Sequence, residues 1–339
     1  MKTRLGFAAL VSVLWTTDAS LAFAPPPPRS PETCALIPLD GAVGLSPDPG
    51  GSFSAEDFRR CLDAVTKSGA RTIVLHVKSP GGRVDTKESI MRELLVAKAK
   101  GVRTIAVIED ACSAAALISL ACSEWYVLPG ARLGAAATVL SGPLGTVSFD
   151  EALKADPTLA AKYKSFESAA DEEACRATGR STDLALAMKH KDATLFFTPG
   201  KGFSRQRLGE SSIELDNKES ILTLTATQLT QFGLAKPAAS LEEAMQEIGT
   251  FDPALTKKLK SEMTRSCKRL ESLLKSADRL IEQYEDLPSG GSGRGFGFGG
   301  GNSRDAGKQA ASAREAARQS KRDQINKKIR DILVLLENP

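Results

Sequence analysis

The chain has 339 residues, of which 42% are hydrophobic and 25% are charged, and its formal net charge is +4. An apolar fraction this high excludes disorder along the whole chain, because it supplies the side chains for a sizeable core. The 28 glycines show no three-residue period, which excludes a collagen-like fibre. The small net charge, without a basic stripe interleaved with aromatic residues, gives no reason to expect a nucleic-acid partner.

The first 24 residues are typical of a secretory signal peptide. Lys2 and Arg4 precede an apolar run over 5–15, and the segment ends in Ala-Phe-Ala at 22–24. A basic start, an apolar run too short to cross a bilayer and a small-residue ending describe an export signal. A buried N-terminal helix is the alternative, but a proline-rich stretch follows that no helix continues through. We therefore expect an exported protein, periplasmic or extracellular, with cleavage or membrane anchoring of this segment left open.

A proline-rich linker is predicted over 25–33, because four consecutive prolines favour an extended chain. The six cysteines suit an exported protein that holds disulfides, although the sequence does not fix their pairing. None of them is spaced as Cys-x-x-Cys, so no zinc site is expected.

Strand-like and helix-like segments alternate over 34–250. Ser54 is a favoured N-cap for a helix that reaches about Lys67. β-Branched runs predict strands, and apolar residues at a 3-4 spacing predict helices. The predicted strands are 36–39, 72–77, 102–108 and 125–128, and the further predicted helices are 85–100, 113–121 and a pair over 158–190 separated by Gly179. This alternation predicts an α/β fold with a parallel sheet and right-handed crossovers.

The C-terminal tail has a different composition. Over 251–288, apolar or small residues recur at a 3-4 spacing, which predicts a coiled-coil-like helix. These seam residues are Met263, Cys267, Leu270, Leu274, Ala277, Ile281 and Tyr284. A Gly/Ser-rich linker follows over 289–307 and a basic helix over 308–339. We expect the seam to self-associate, because no other surface for it is evident; a pair of solvated helices is the alternative.

The candidate chemistry lies between Ile73 and Val139. The strand over 72–77 runs into the turn 79–82 (Ser-Pro-Gly-Gly), which lets backbone approach a ligand and leaves N–H groups outside any ladder. Ser113 follows the next strand and opens a helix at the carboxyl edge of the sheet, where open α/β sheets bind ligands. A helix start supplies N–H donors for an oxyanion. Serine is equally a favoured N-cap, so these residues alone leave both roles open.

Several ordered motifs over 36–248 resemble the ClpP/crotonase-type serine peptidases, and within them the exported NfeD-type and signal-peptide-peptidase-A-type branch. They are Ser79-Pro80-Gly81-Gly82, Cys112-Ser113-Ala114-Ala115, Leu128 to Ala135, the helix from Lys162 to Gly179-Arg180, Leu222 to Thr225 and Phe232 to Ala235. The resemblance implies a ClpP/crotonase-like spiral of βαβ units. The helical tail lies outside it.

The resemblance also implies roles for single residues. It makes Ser113 the nucleophile and Lys162, 17 residues before Gly179, its general base. It assigns the oxyanion hole to the backbone N–H groups of Gly82 and Ala114. Gly81 then shapes the turn, and neither a cofactor nor a metal is implied.

A lysine suits the base because a serine hydroxyl is a weak nucleophile until a neighbour takes its proton. The two histidines, His76 and His190, are not placed as a Ser-His-Asp set would require. Lys154 and Lys164 stay open as alternatives to Lys162.

The implied activity is an ATP-independent serine endopeptidase that cuts polypeptides in apolar or membrane-proximal segments, as a homo-oligomer with peripheral membrane association. Two departures from the family pattern are Ala115, where the family has glycine, and the long stretch 139–162, a candidate lid over the site. A non-catalytic ClpP-like scaffold that binds an envelope protein is therefore the alternative. An acyl-CoA enzyme of the crotonase type suits an exported chain badly, because CoA is intracellular.

Overall fold

The structure is a computed structural model. It describes residues 33–47, 50–142, 145–152, 154, 156–216, 220–287 and 303–337. The predicted signal peptide, nearly all of the proline-rich linker and most of the Gly/Ser-rich linker lie outside these residues.

The described residues form an α/β fold with a helical C-terminal extension, as predicted. The strands are β1 (Thr33–Asp40), β2 (Ala42–Val43), β3 (Ser52–Phe53), β4 (Thr72–Ser79), β5 (Arg103–Cys112), β6 (Glu124–Val127), β7 (Arg132–Gly134), β8 (Val139–Gly142), β9 (Gly145–Ser148), β10 (Leu195–Thr198), β11 (Gly202–Ser204), β12 (Ile213–Asp216), β13 (Thr223–Thr225), β14 (Lys236–Pro237) and β15 (Thr250–Phe251). The helices are α1 (Ala55–Ser68), α2 (Val84–Ala99), α3 (Ala114–Leu120), α4 (Phe149–Ala152), α5 (Pro157–Thr178), α6 (Thr182–Lys189), α7 (Ala226–Gln231), α8 (Leu241–Ile248), α9 (Pro253–Met263), α10 (Arg265–Glu285) and α11 (Ser303–Glu337).

The main sheet has the strand order β13-β7-β5-β4-β1-β15, with β6 paired to β5 and β14 paired to β6. β1, β4 and β5 pair in parallel, so that Leu36 lies opposite Val74 and Val74 opposite Ile105. Parallel neighbours require a crossover, and the helices α1 and α2 supply it between these strands. Both faces of β4 are covered, which explains its nearly continuous apolar sequence.

Helix boundaries follow the predicted local signals. The Ser54 side chain accepts from the Asp57 N–H and the Asp57 side chain accepts from the Ser54 N–H, which is a complete capping box at the start of α1. The break predicted at Gly179 separates α5 from α6, and this glycine has a left-handed φ of 73°.

The predicted tail helix is two helices, α9 and α10, which meet at Thr264. Leu255, Leu259 and Met263 of α9 belong to the main core. The expectation that the seam lacks a partner within the chain is therefore wrong, because periodicity shows which face is apolar but not what covers it. Self-association of the tail stays a prediction.

The rest of the seam packs partly on α11. Cys267 and Leu270 of α10 cluster with Leu45 of the body, and Ile332 and Leu336 of α11 pack against this cluster. The Arg318 side chain of α11 donates to the carbonyl of Leu287, just beyond the end of α10, at 3.0 Å. This hydrogen bond links α11 to the end of α10. Within the described parts of the chain, no helix has both the length and the apolar content to span a bilayer.

All six cysteines are reduced in the structure, and none of them forms a disulfide. Five are buried and Cys112 is half-buried. Burial raises the pKa of Cys122 to about 12. The same cause, with a smaller contribution from nearby carboxylates, raises the pKa of Cys61 to about 12. These thiols act as small core side chains, so the expected disulfides are not formed here.

Candidate active site

Four of the segments singled out by their motifs, the turn 79–82, Ser113, the end of β7 and Leu222, meet at the carboxyl end of β5. The Ser113 N–H donates to the Gly134 carbonyl at 2.9 Å, which joins the serine to the end of β7. The next residue, Ala135, donates its N–H to the Leu222 carbonyl at 2.9 Å. β13, which follows Leu222, pairs with β7. Motifs far apart in the sequence thus form one cluster around Ser113.

Ser113 occupies a strained turn between β5 and α3. Its φ is 55° and its ψ is −124°, a conformation that residues with a Cβ rarely adopt. Its side chain makes no capping hydrogen bond to α3, so the N-cap role left open above does not occur. Strain of this kind costs about 1–3 kcal/mol and clusters at functional sites. Ser113 therefore has a strained backbone that a helix-capping role does not explain.

Gly81 lies directly against this serine. A Cβ placed on Gly81 would be 2.4 Å from the Ser113 Cβ and 3.0 Å from the Ala114 nitrogen. Gly81 also has a φ of 93°, which disfavours any other residue. The Pro-Gly-Gly turn is thus in contact with the predicted nucleophile, and only glycine fits there.

Two backbone N–H groups beside Ser113 are outside the hydrogen-bond ladders. β2 and the turn form a β-bridge in which the Val43 N–H donates to the Gly81 carbonyl and the Arg83 N–H donates to the Val43 carbonyl. The N–H of Gly82, which lies between them, makes no hydrogen bond in this bridge. Ala114 is the first residue of α3, so its N–H has no acceptor within the helix. Within the described chain, neither N–H donates to another backbone group. Both are the donors that the resemblance implies for an oxyanion hole.

A small cavity of about 50 Å³ lies at Ser113. It is lined by Gly82, Val84, Lys87, Ser113, Ala114, Leu117, Ala136, Ala137, Thr138, Val139 and Glu167. The predicted nucleophile and the predicted oxyanion donors therefore line the same small cavity. Ala115 does not line it and is fully buried in the core, so its extra methyl group does not narrow the cavity.

The structure does not bring Lys162 to this cavity. Its side chain is exposed on α5 and is not among the lining residues. Nine residues further on, Asp171 is buried, and nine helical residues correspond to about half a rotation around the axis. The face of α5 that points inward is therefore opposite to Lys162. Lys154 is also exposed and pairs with Glu151 at 3.7 Å.

A buried network of ionic side chains, which the sequence analysis missed, lies next to Ser113. Asp171 accepts from Lys87 at 2.9 Å and from Lys189 at 2.7 Å, and all three side chains are at most 2% exposed. Glu167 lies 3.5 Å from the Lys189 Nζ and accepts from the Thr138 hydroxyl at 2.6 Å. The network joins α2, α5 and α6, and two of its members, Lys87 and Glu167, line the cavity.

Two larger concavities adjoin the cavity through Thr138 and Glu167. One, of about 300 Å³, is lined by Lys164, Lys189 and Lys191 among others. The other, of about 470 Å³, is mainly apolar. Its apolar lining residues are Val84, Leu140, Tyr163 and Phe166. The hairpin of β8 and β9, which includes Leu140, lies in the stretch predicted as a lid; its mobility stays a prediction.

Neither histidine lines the Ser113 cavity. The His76 Nε2 lies 3.0 Å from Glu109, whose pKa is lowered mainly by its hydrogen bond to Lys78 and further by His76. His190 lines the lysine-rich concavity instead. The described residues contain no group of three or more His, Cys, Asp or Glu side chains able to hold a metal ion.

Residues 55–202 match the family model described as "NfeD1b, N-terminal domain". Among solved structures, a Ser-to-Ala mutant of the 1510-N membrane-bound stomatin-specific protease is 16% identical, with a TM-score of 0.45, over 64% of this chain and 85% of that one. A Lys-to-Ala mutant of the same protease, in complex with a substrate peptide, is 17% identical, with a TM-score of 0.44, over 64% and 80%.

A third structure, "1510-N membrane protease specific for a stomatin homolog from Pyrococcus horikoshii", is 15% identical, with a TM-score of 0.39, over 64% of this chain and 79% of that one. No curated protein matches the sequence. The family model covers the turn 79–82, Ser113 and α5, which carry several of the NfeD-type motifs, whereas the motifs over 222–235 lie beyond it. Over residues 55–202 the chain is therefore similar to the NfeD1b N-terminal domain family, which confirms the predicted resemblance to the NfeD-type branch.

Proposed function

We propose that the chain is an exported serine endopeptidase that hydrolyses polypeptides in apolar or membrane-proximal segments without ATP. The observation that carries this proposal is the strained, uncapped Ser113 in one small cavity with Gly82 and Ala114. A core serine or a helix cap needs neither the strain nor the adjacent unused N–H groups.

In the proposed reaction, the Ser113 Oγ attacks the peptide carbonyl and Lys162 accepts the hydroxyl proton. The N–H groups of Gly82 and Ala114 bind the oxyanion that forms. Gly81 allows the turn to pack against Ser113, so that the Gly82 N–H can reach the oxyanion. The lysine then protonates the leaving amine, and water hydrolyses the acyl-enzyme.

For Lys162 to act, the N-terminal turns of α5 have to bring it to Ser113. Lys162 lies among the exposed apolar side chains of Leu159, Tyr163 and Phe166, the last of them 75% exposed. A polypeptide substrate or a second copy bound over this face would exclude water from the lysine. The exposed apolar face around Lys162 therefore supports an apolar substrate and a homo-oligomer. The basic tail supports peripheral attachment to an anionic membrane.

The exposed position of Lys162 is also the observation that favours the second candidate, a non-catalytic scaffold. In that case the mainly apolar concavity next to the Ser113 cavity binds an envelope protein, and the protein is not cleaved. Fold alone does not distinguish the two, because activity depends on the site.

Hydrolysis of fluorogenic peptides with an apolar core separates the candidates. We expect wild-type turnover, and loss of turnover in Ser113→Ala and Lys162→Ala. Lys154→Ala and Lys164→Ala test the other two lysines, and Lys258→Ala, an exposed lysine on α9, is the matched control. Turnover in Lys162→Ala would remove that residue from the mechanism. A folded wild-type protein without turnover would favour the scaffold.

A further inference from the structure

Lys87 is a buried cation that shares a cavity with the proposed nucleophile. It lies on α2, which begins right after the Gly81-Gly82 turn, and its side chain is 1% exposed. Of the described residues that line the Ser113 cavity, Lys87 alone carries a positive charge. A cavity of about 50 Å³ holds little more than one or two water molecules, so its lining groups are close to one another.

Within the ionic network, the Lys87 ammonium is held by a hydrogen bond to Asp171. An ammonium has three N–H donors, and Asp171 accepts one of them from Lys87 at 2.9 Å. The second carboxylate oxygen of Asp171 is occupied by Lys189 at 2.7 Å. Asp171 thus accepts from two buried lysines on different helices, one on each carboxylate oxygen.

Burying three ionic groups is expensive, and an apolar cluster of similar volume is often as stable. A purely structural role therefore gives a weak reason for the network. A buried positive charge next to a nucleophile has a chemical use, because its interaction with a developing anion is stronger away from bulk water than in it.

We propose that the Lys87 ammonium is a catalytic residue that stabilises the oxyanion, together with the N–H groups of Gly82 and Ala114. This inference rests on the proposed peptidase function. As the Ser113 Oγ bonds to the carbonyl carbon, the π electrons of the carbonyl move to its oxygen. Lys87 donates a hydrogen bond to that oxygen and keeps its own proton throughout, while the serine proton goes to the general base.

The network supplies a matched pair of variants. Lys87→Met and Lys189→Met each remove one of the two buried lysines from Asp171 and leave the other in place. Lys189 does not line the Ser113 cavity. A structural role predicts that the two variants behave alike, whereas a role at the oxyanion predicts that only Lys87→Met loses turnover.

The experiment measures kcat, KM and the affinity of a peptidyl boronate, which forms a tetrahedral anion on serine, for the full-length protein and both variants. We expect kcat of Lys87→Met to fall about 10²- to 10³-fold, as for loss of one oxyanion donor, with boronate affinity falling and KM nearly unchanged. Lys189→Met keeps most of the wild-type kcat. If Lys87→Met does not fold, Lys87→Gln is measured instead; its neutral amide can still donate to Asp171 but carries no positive charge, so a smaller fall in kcat and in boronate affinity than for Lys87→Met is expected, again without a matching loss in Lys189→Met.

Equal losses in the Lys87 and Lys189 variants would overturn the inference and leave the peptidase proposal intact, because the wild type still turns over. A wild type that neither hydrolyses peptides nor binds the boronate would instead overturn the proposed function, and the inference with it.

Discussion

Gly81→Ala tests the contact between the Pro-Gly-Gly turn and Ser113. The new Cβ would lie 2.4 Å from the Ser113 Cβ and 2.7 Å from the Cys112 carbonyl oxygen, so part of the backbone has to move. Alanine at the φ of 93° costs about 1–2 kcal/mol, and overpacking costs about 1–3 kcal/mol. We expect the free energy of unfolding to fall by about 2–5 kcal/mol in urea denaturation, a large part of a typical stability of about 5–15 kcal/mol.

Gly101→Ala is the matched control for this change. Gly101 has a φ of 79°, and no atom lies within 4 Å of a Cβ built on it. It therefore carries the conformational cost of about 1–2 kcal/mol without the contact. Equal destabilisation by the two variants would refute the packing of the turn on Ser113 described here. The folded Gly81→Ala protein should also lose peptide hydrolysis, whereas Gly101→Ala should keep it.

Three further predictions concern groups outside the site. Asp57→Ala should lower the free energy of unfolding by about 2–4 kcal/mol in urea, because it removes the capping box with Ser54 and a buried acceptor; a neutral effect would contradict this. The hydrogen bond from Arg103 lowers the pKa of Glu124, so this carboxylate stabilises the fold above its unfolded-state pKa, and the contribution is lost as the pH falls through the lowered value. Glu124→Gln should accordingly destabilise at pH 7, and its difference from the wild type should begin to shrink below about pH 4.3, the unfolded-state pKa of glutamate, and disappear only below the lowered pKa; a constant difference would contradict this linkage. Iodoacetamide at pH 8 should alkylate the half-buried Cys112 before the other five cysteines, as read by peptide mass spectrometry, and early modification of a core thiol would contradict the burial.

The boundaries of the helices that cover the sheet were predictable because their signals are local. Ser54 with Asp57 three residues later identifies the start of α1, and Gly179 identifies the end of α5. The tail was less predictable. Its 3-4 spacing identifies an apolar face, but the break at Thr264 and the packing of Met263 in the main core depend on long-range contacts.

The site was predictable in part, for similar reasons. Motifs place Ser113 at the end of a strand, but separating a nucleophile from a helix cap requires its φ and its side-chain contacts. The spacing of Lys162 from Gly179 gives a position along α5, not the direction in which the side chain points. Lys87 had a signal that was overlooked: it lies three residues before Ile90, on the apolar face of α2, where a lysine is unexpected.

The most direct test of the account is labelling of the folded, full-length protein with a fluorophosphonate, followed by peptide mass spectrometry. We expect stoichiometric modification of the Ser113 Oγ, loss of this adduct in Ser113→Ala, and protection by an apolar peptide. A folded protein that stays unlabelled at Ser113 would contradict the claim that this strained serine is an activated nucleophile.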